Sequence, residues 1–124
     1  MNGLAIWSDI SNSVCATGFT FYFNDGTSMS LGSNLGTKTS ILTFSKSNRL
    51  SLVTSPSENS LIIDVLQICT ISGACIKAGN LQFKNLKNNL TIDSNWNIMG
   101  FWGSTYRYTG AAICLFNFGV TYYI

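Results

Sequence analysis

Phe19-Thr20-Phe21-Tyr22-Phe23-Asn24-Asp25-Gly26 is the stretch that decides the fold class. Its Phe residues alternate with Thr20 and Tyr22, which places three rings on one face of a β-strand. Asn24-Asp25-Gly26 then closes the run, with glycine able to take the positive φ of a tight hairpin. A second alternating run, Phe116, Phe118 and Val120 leading into Tyr122 and Tyr123, lies near the other end. Each run follows a cysteine, Cys15 or Cys114. Two such strands far apart in sequence point to a β fold whose ends come together.

Outward from these runs the pattern repeats. Turn signals recur at Gly32–Gly36, Ser55-Pro56-Ser57, Ser72-Gly73, Asn88-Asn89 and Asp93-Ser94-Asn95. Between them, strands are expected over Leu4–Trp7, Val14–Phe23, Met29–Leu31, Thr39–Phe44, Leu50–Thr54 and Leu61–Thr70. The second half adds Cys75–Ala78, Leu81–Phe83, Leu90–Ile92, Ile98–Trp102, Ala112–Cys114 and Phe116–Tyr123. No window carries a capped 3.6-residue stripe, and Leu61–Thr70 is too rich in Ile, Val and Thr to favour a helix. The 124 residues read as one all-β domain spanning 1–124, since no linker or low-complexity segment divides them.

Composition narrows the function. Charged residues make up only 10% of the chain, well below the usual quarter, so its polar surface is mostly neutral. The seven Lys and Arg form no cluster of the kind that grips phosphate backbones, so nucleic acid is not expected as a partner. Low charge also weakens repulsion between copies, which favours a homo-oligomer. No run approaches the roughly 20 apolar residues of a membrane-spanning helix. Met1–Ser8 lacks a basic region followed by an apolar core, so no signal peptide is read there.

Four cysteines allow three complete pairings. Cys69 and Cys75 flank Thr70–Ala74 and would face each other across a hairpin, which leaves Cys15 with Cys114. The alternative is four buried thiols packed as small hydrophobes. Disulfides would imply a secreted or extracellular setting. Asn89-Leu90-Thr91 fits the N-glycosylation acceptor pattern, which also arises by chance.

Catalysis finds little to work with. The absence of histidine removes Ser-His-Asp and Cys-His systems. Asp9, Asp25, Glu58, Asp64 and Asp93 are widely spaced, with Asp25 and Asp93 in turn signals, so solvated structural roles outweigh a glycosidase pair. Cys-x5-Cys is a poor zinc spacing, and no phosphate-cradling Gly-Lys-Ser/Thr occurs. Neither an enzyme, a metal nor a cofactor is expected.

Several segments, in order, resemble the jacalin-related lectins. They are Gly3–Ser8 as an opening strand, Gly18–Gly26 as an aromatic second strand, and Gly32–Gly36 as a Gly-rich turn. Ile41–Val53 resembles a strand, turn and strand, and Leu66–Thr70 with Gly73 and Gly79 a strand followed by Thr and two Gly. Ile98–Ser104, with Gly100-Phe101-Trp102-Gly103, is similar to the family's Gly-Phe-x-Gly loop, and Phe116–Val120 to its closing strand. The resemblance implies a β-prism of three four-stranded antiparallel sheets, with the first and last strands sharing a sheet. It also implies sugar binding at loops of one end, hence a glycan or glycoprotein partner, and it favours a Cys15–Cys114 bridge.

The chain departs from the family where sugar is held. The family's Asp, which ends a Gly-x-x-x-Asp stretch, has no counterpart between Gly103 and Phe116, and none near Thr17. The Gly-rich leader before the first strand is also missing from this sequence. The candidate site is therefore a neutral loop, Gly103, Ser104, Thr105, Tyr106, Arg107 and Tyr108, with aromatic faces for stacking and hydroxyls for hydrogen bonds. Trp102 stands beside this loop as a further stacking candidate, but its apolar run favours core packing, and Trp7 and Trp96, within or beside strand patterns, read as core. Asp9, Ser11, Asn12 and Ser13 form a possible neighbouring polar loop. The leading function is a non-catalytic carbohydrate-binding module. Its rival is a structural, self-assembling protein on the same scaffold with the sugar site lost.

Overall fold

The computed structural model describes residues 1–9, 15–55, 63–81, 87–108 and 112–124. These residues are all-β, in three antiparallel sheets. The first sheet holds β1 (Gly3–Ser8), β2 (Ala16–Tyr22), β3 (Ser28–Gly32), β4 (Thr37–Lys38) and β5 (Leu42–Thr43), in the order β3-β2-β1-β4, with β5 also on β1. The second holds β6 (Leu50–Ser55), β7 (Val65–Thr70), β8 (Cys75–Gly79) and β9 (Lys87–Thr91), in the order β8-β7-β6-β9. The third is one long hairpin of β10 (Asn97–Tyr108) and β11 (Ala112–Tyr123). The sheets thus have five, four and two strands among the described residues, rather than four each. The first and last strands lie in different sheets and do not pair.

The β2–β3 hairpin follows from its residues. Phe23 N donates to Thr27 O and Gly26 N to Phe23 O, closing a three-residue loop with Gly26 at φ 88. The Asp25 carboxylate secures it, accepting from Thr27 N at 2.9 Å and Thr27 Oγ1 at 2.6 Å. The β7–β8 turn repeats this bonding: Thr70 N donates to Ala74 O, Gly73 N to Thr70 O, and Gly73 has φ 92. Directly across that hairpin, Cys69 pairs with Cys75 and is disulfide-bonded to it.

The likeness extends to whole sheets. In each, three hairpin-connected strands are joined by a fourth that returns beside the first, which is the Greek-key order. Gly18 opposes Gly32 as Val65 opposes Gly79, and Leu4 opposes Phe21 as Val53 opposes Ile68. The returning strand of the first sheet is split into β4 and β5 where Thr39 intervenes. Thr39 N donates to Ile6 O while the Thr39 hydroxyl accepts from Ile6 N, so a side chain replaces a ladder carbonyl. That is why a continuous Thr39–Phe44 strand does not form. Asn88 and Asn89, expected in a turn, lie within β9.

The sheets meet at a backbone junction. Ala16 N donates to Ile63 O at 3.0 Å, and Ile63 N to Leu115 O at 2.7 Å. Beside it Cys15 is bonded to Cys114, both fully buried. Below it Phe19, Phe21 and Phe101 stack mutually with centroids 5.2–5.9 Å apart, bringing β2 and β10 onto one core. Leu4, Ile6, Val53, Leu66, Ile68 and Leu115 complete its centre.

Candidate functional site

The Gly103 segment is a strand and not a loop. Thr105, Tyr106 and Tyr108 are good strand formers, and the run is zipped to β11. Gly103 opposes Phe118, Ser104 opposes Asn117, Thr105 opposes Leu115, Tyr106 opposes Cys114, Arg107 opposes Ile113 and Tyr108 opposes Ala112. The register shift between Ser104 and Thr105 leaves Phe116 as an extra residue on β11. Glycine misleads here as a loop signal. Gly103 and Ser104 are half-buried and Thr105 is exposed, whereas the side chains of Tyr106, Arg107 and Tyr108 lie outside the described residues.

Trp102 overturns the core reading. It is 50% exposed on the outer face of the hairpin, directly across from Gly119. A Cβ placed on Gly119 would lie 2.5 Å from Cε2, Cζ2 and Nε1 of the indole, so the ring rests against bare backbone. Any side chain at 119 would push it off. Phe101 and Ile98 point the other way, into the core. Along β11, Gly119, Thr121 and Tyr123 share the outer face by strand alternation, and Thr121 and Tyr123 are exposed. Thr121 is thus a member of this surface that the sequence reading did not single out, and Tyr123 was read only as part of the closing aromatic run. An exposed Tyr and a core Tyr look alike in such a run, and a lone Thr carries no signal.

The other tryptophans divide. Trp96 is half-buried at the core margin and stacks on Tyr122 at 4.2 Å. Trp7 is half-buried on the outer face of the first sheet instead of in the core. Its Nε1 donates to Thr20 Oγ1 at 2.8 Å, and Lys38 Nζ sits over its ring while donating to Tyr22 OH at 2.9 Å. This cluster reads as a satisfied polar stitch across β2, β1 and β4.

At the disulfide end, Asp9 Oδ1 accepts from Cys15 N at 3.1 Å and Asp9 N donates to Cys15 O at 3.3 Å, tying the β1–β2 connection at its base. Ser11, Asn12, Ser13 and Glu58 lie outside the described residues. No group of three or more His, Cys, Asp or Glu among the described residues is placed to hold a metal.

The Asp25 carboxyl is held below the usual carboxylate range, first by the Thr27 hydroxyl and then by the Thr27 amide. A carboxyl so depressed stabilises the hairpin above its ordinary pKa, and the effect fades as pH falls through the lowered one. Carbon-detected NMR titration should therefore place the Asp25 midpoint below that of a free aspartate. Thr27→Ala should move it back up; an unmoved midpoint would refute the assignment.

No protein-family model and no curated protein matches this sequence.

Proposed function

We propose that this protein is a non-catalytic carbohydrate-binding module on a jacalin-like β-prism scaffold, its site lying on the β10–β11 hairpin around Trp102 and Gly103–Tyr108. The observation that carries the reading is Trp102, half-exposed and laid flat over Gly119. An aromatic face held in this way suits the apolar C–H face of a sugar ring, and Ser104, two residues along the same strand, brings a hydroxyl to that face. Three sheets, two of them Greek keys, joined through Ala16, Ile63 and Leu115 support the prism, with the third sheet reduced to a hairpin. Two disulfides in a small domain are compatible with an extracellular site of action.

Without a carboxylate, affinity rests on stacking and neutral hydrogen bonds, which are roughly half as strong as charge-assisted ones. Single sites should bind at about millimolar Kd, and linked copies should gain avidity. On a glycan array probed with multivalent protein, Trp102→Ala should abolish binding while costing less than about 1 kcal/mol of stability, as exposed substitutions do. Tyr106→Ala and Arg107→Ala should weaken it. If no glycan is retained by the multivalent protein, the reading fails.

A second reading, self-assembly with the sugar site lost, draws on the hairpin's composition. β11 spans 12 residues without a charge or a proline, the residues that usually protect an edge strand. Failure on the array together with concentration-dependent light scattering would favour it.

A further inference from the structure

We propose that the outer face of the β10–β11 hairpin binds the interior of a neutral oligosaccharide chain, with Trp102 and Tyr123 as two separate stacking positions. The proposal rests on the carbohydrate reading above and adds the ligand's form: an extended chain lying along the strands, in place of a single terminal sugar.

The register sets out the platform. Trp102 opposes Gly119, Gly100 opposes Thr121, and Asn97 opposes Tyr123. Trp102 and Tyr123 are 50% and 58% exposed at opposite ends of this strip. Between them Gly100 and Gly119 lower the floor, which Thr121 crosses and the bulged, exposed Met99 borders. A Cβ on Gly100 would meet only Thr121 Oγ1, at 3.9 Å, and Gly119 is covered by the indole itself. From Gly119, beneath the indole, to Tyr123 is four residues along β11, about 13 Å at strand rise and room for about three linked six-membered rings. The exposed Thr121 hydroxyl lies midway, and Asn97 adds an exposed amide whose Nδ2 donates to Tyr123 O at 3.3 Å.

Three properties of the strip select the ligand. Scattered single aromatics on a surface are ordinary, but two on one face with a low floor between them leave apolar area suited to a flat, two-sided ring. Residues 97–105 and 112–124 contain no Asp, Glu, Lys or Arg, so nothing here would recognise a phosphate, sulfate or uronate. A two-stranded sheet supplies no walls, so a ligand gains contact by length and not by enclosure.

The test is a titration of the whole chain with neutral oligosaccharides of one to six units from the β-1,4-glucan, β-1,3-glucan and α-mannan series. Calorimetry gives the affinity, and tryptophan fluorescence reports on Trp102. In at least one series, affinity should rise roughly tenfold from one ring to about four and then level off, as a second stacking contact is engaged. In Tyr123→Ala the rise should be lost, so that a four-ring chain binds no more tightly than a single ring to the same variant, and Tyr123→Phe should retain it. Length-independent binding, indifferent to Tyr123→Ala, overturns the platform and leaves the carbohydrate reading standing. No binding in any series overturns both. A dimer that Trp102→Ala dissolves, with no saccharide bound, assigns the face to a second copy and also overturns the platform.

Discussion

Replacing Cys15 and Cys114 together by alanine should cost about 4–5 kcal/mol of unfolding free energy, against about 2 kcal/mol for Cys69 and Cys75. The difference comes from loop length. The first bridge closes a sequence separation of 99 residues and the second one of 6, so the first removes far more freedom from the unfolded chain. Burial adds to it, because Cys15 and Cys114 are fully enclosed beside the Ala16–Ile63–Leu115 junction whereas Cys75 is exposed. Against a typical domain stability of about 5–15 kcal/mol, losing the long bridge brings the protein near its threshold. Urea unfolding of both double variants measures the two costs. Equal losses, or a larger loss at the hairpin bridge, would show that the ends are held by other means.

Phe19→Ala should cost about 3–5 kcal/mol, the range for deleting a large buried aromatic. Phe19 has no exposed surface and stacks on Phe21 of its own strand and on Phe101 of the third sheet. Its removal opens a cavity where two sheets meet, and neither neighbouring ring can refill it without leaving the other. The hairpin should suffer most, since Phe101 is its aromatic anchor in the core. Hydrogen exchange at β10 amides should accelerate more than at β7. Uniform acceleration, or a loss below about 2 kcal/mol, would mean that the rings are not the principal tie between the sheets.

Much of this architecture was legible in residues with a strict geometric consequence. Phe19, Phe21 and Phe23 announced their strand because side chains alternate with period two, and Gly26 announced its turn because few other residues accept positive φ. Cys69 and Cys75 were legible for the same reason, as hairpin neighbours. The Greek-key repetition was not, because equivalent positions share burial without sharing identity. Phe19 corresponds to Leu66 and Gly18 to Val65, and few equivalent residues are alike: Gly26 with Gly73, Gly32 with Gly79, and Leu42-Thr43 with Leu90-Thr91.

The site was less legible still, and a single residue explains why. Read by alternation, Ile98, Gly100 and Trp102 belong to one face. The register slips between Ile98 and Gly100, so Met99 is an extra residue that reverses the parity. Ile98 therefore packs on the core while Trp102 turns to solvent. A bulge leaves no mark in the sequence other than a glycine, and Gly100 was already read as a loop signal.

The junction of Ala16, Ile63 and Leu115 also sets an order of events during folding. Most strand pairs here are sequence neighbours, including β1 with β2, β6 with β7 and β10 with β11, and hairpins of this kind close in about 1–10 μs. The junction instead joins chain segments far apart, and loop closure must precede any reward from it. On a ribosome the first Greek key emerges whole while Ala16 still waits for Ile63, and Ile63 for Leu115. Synthesis at roughly 5–20 residues per second makes that wait several seconds long. Through it Cys15 is without Cys114, its own partner, while Cys69 and Cys75 emerge together.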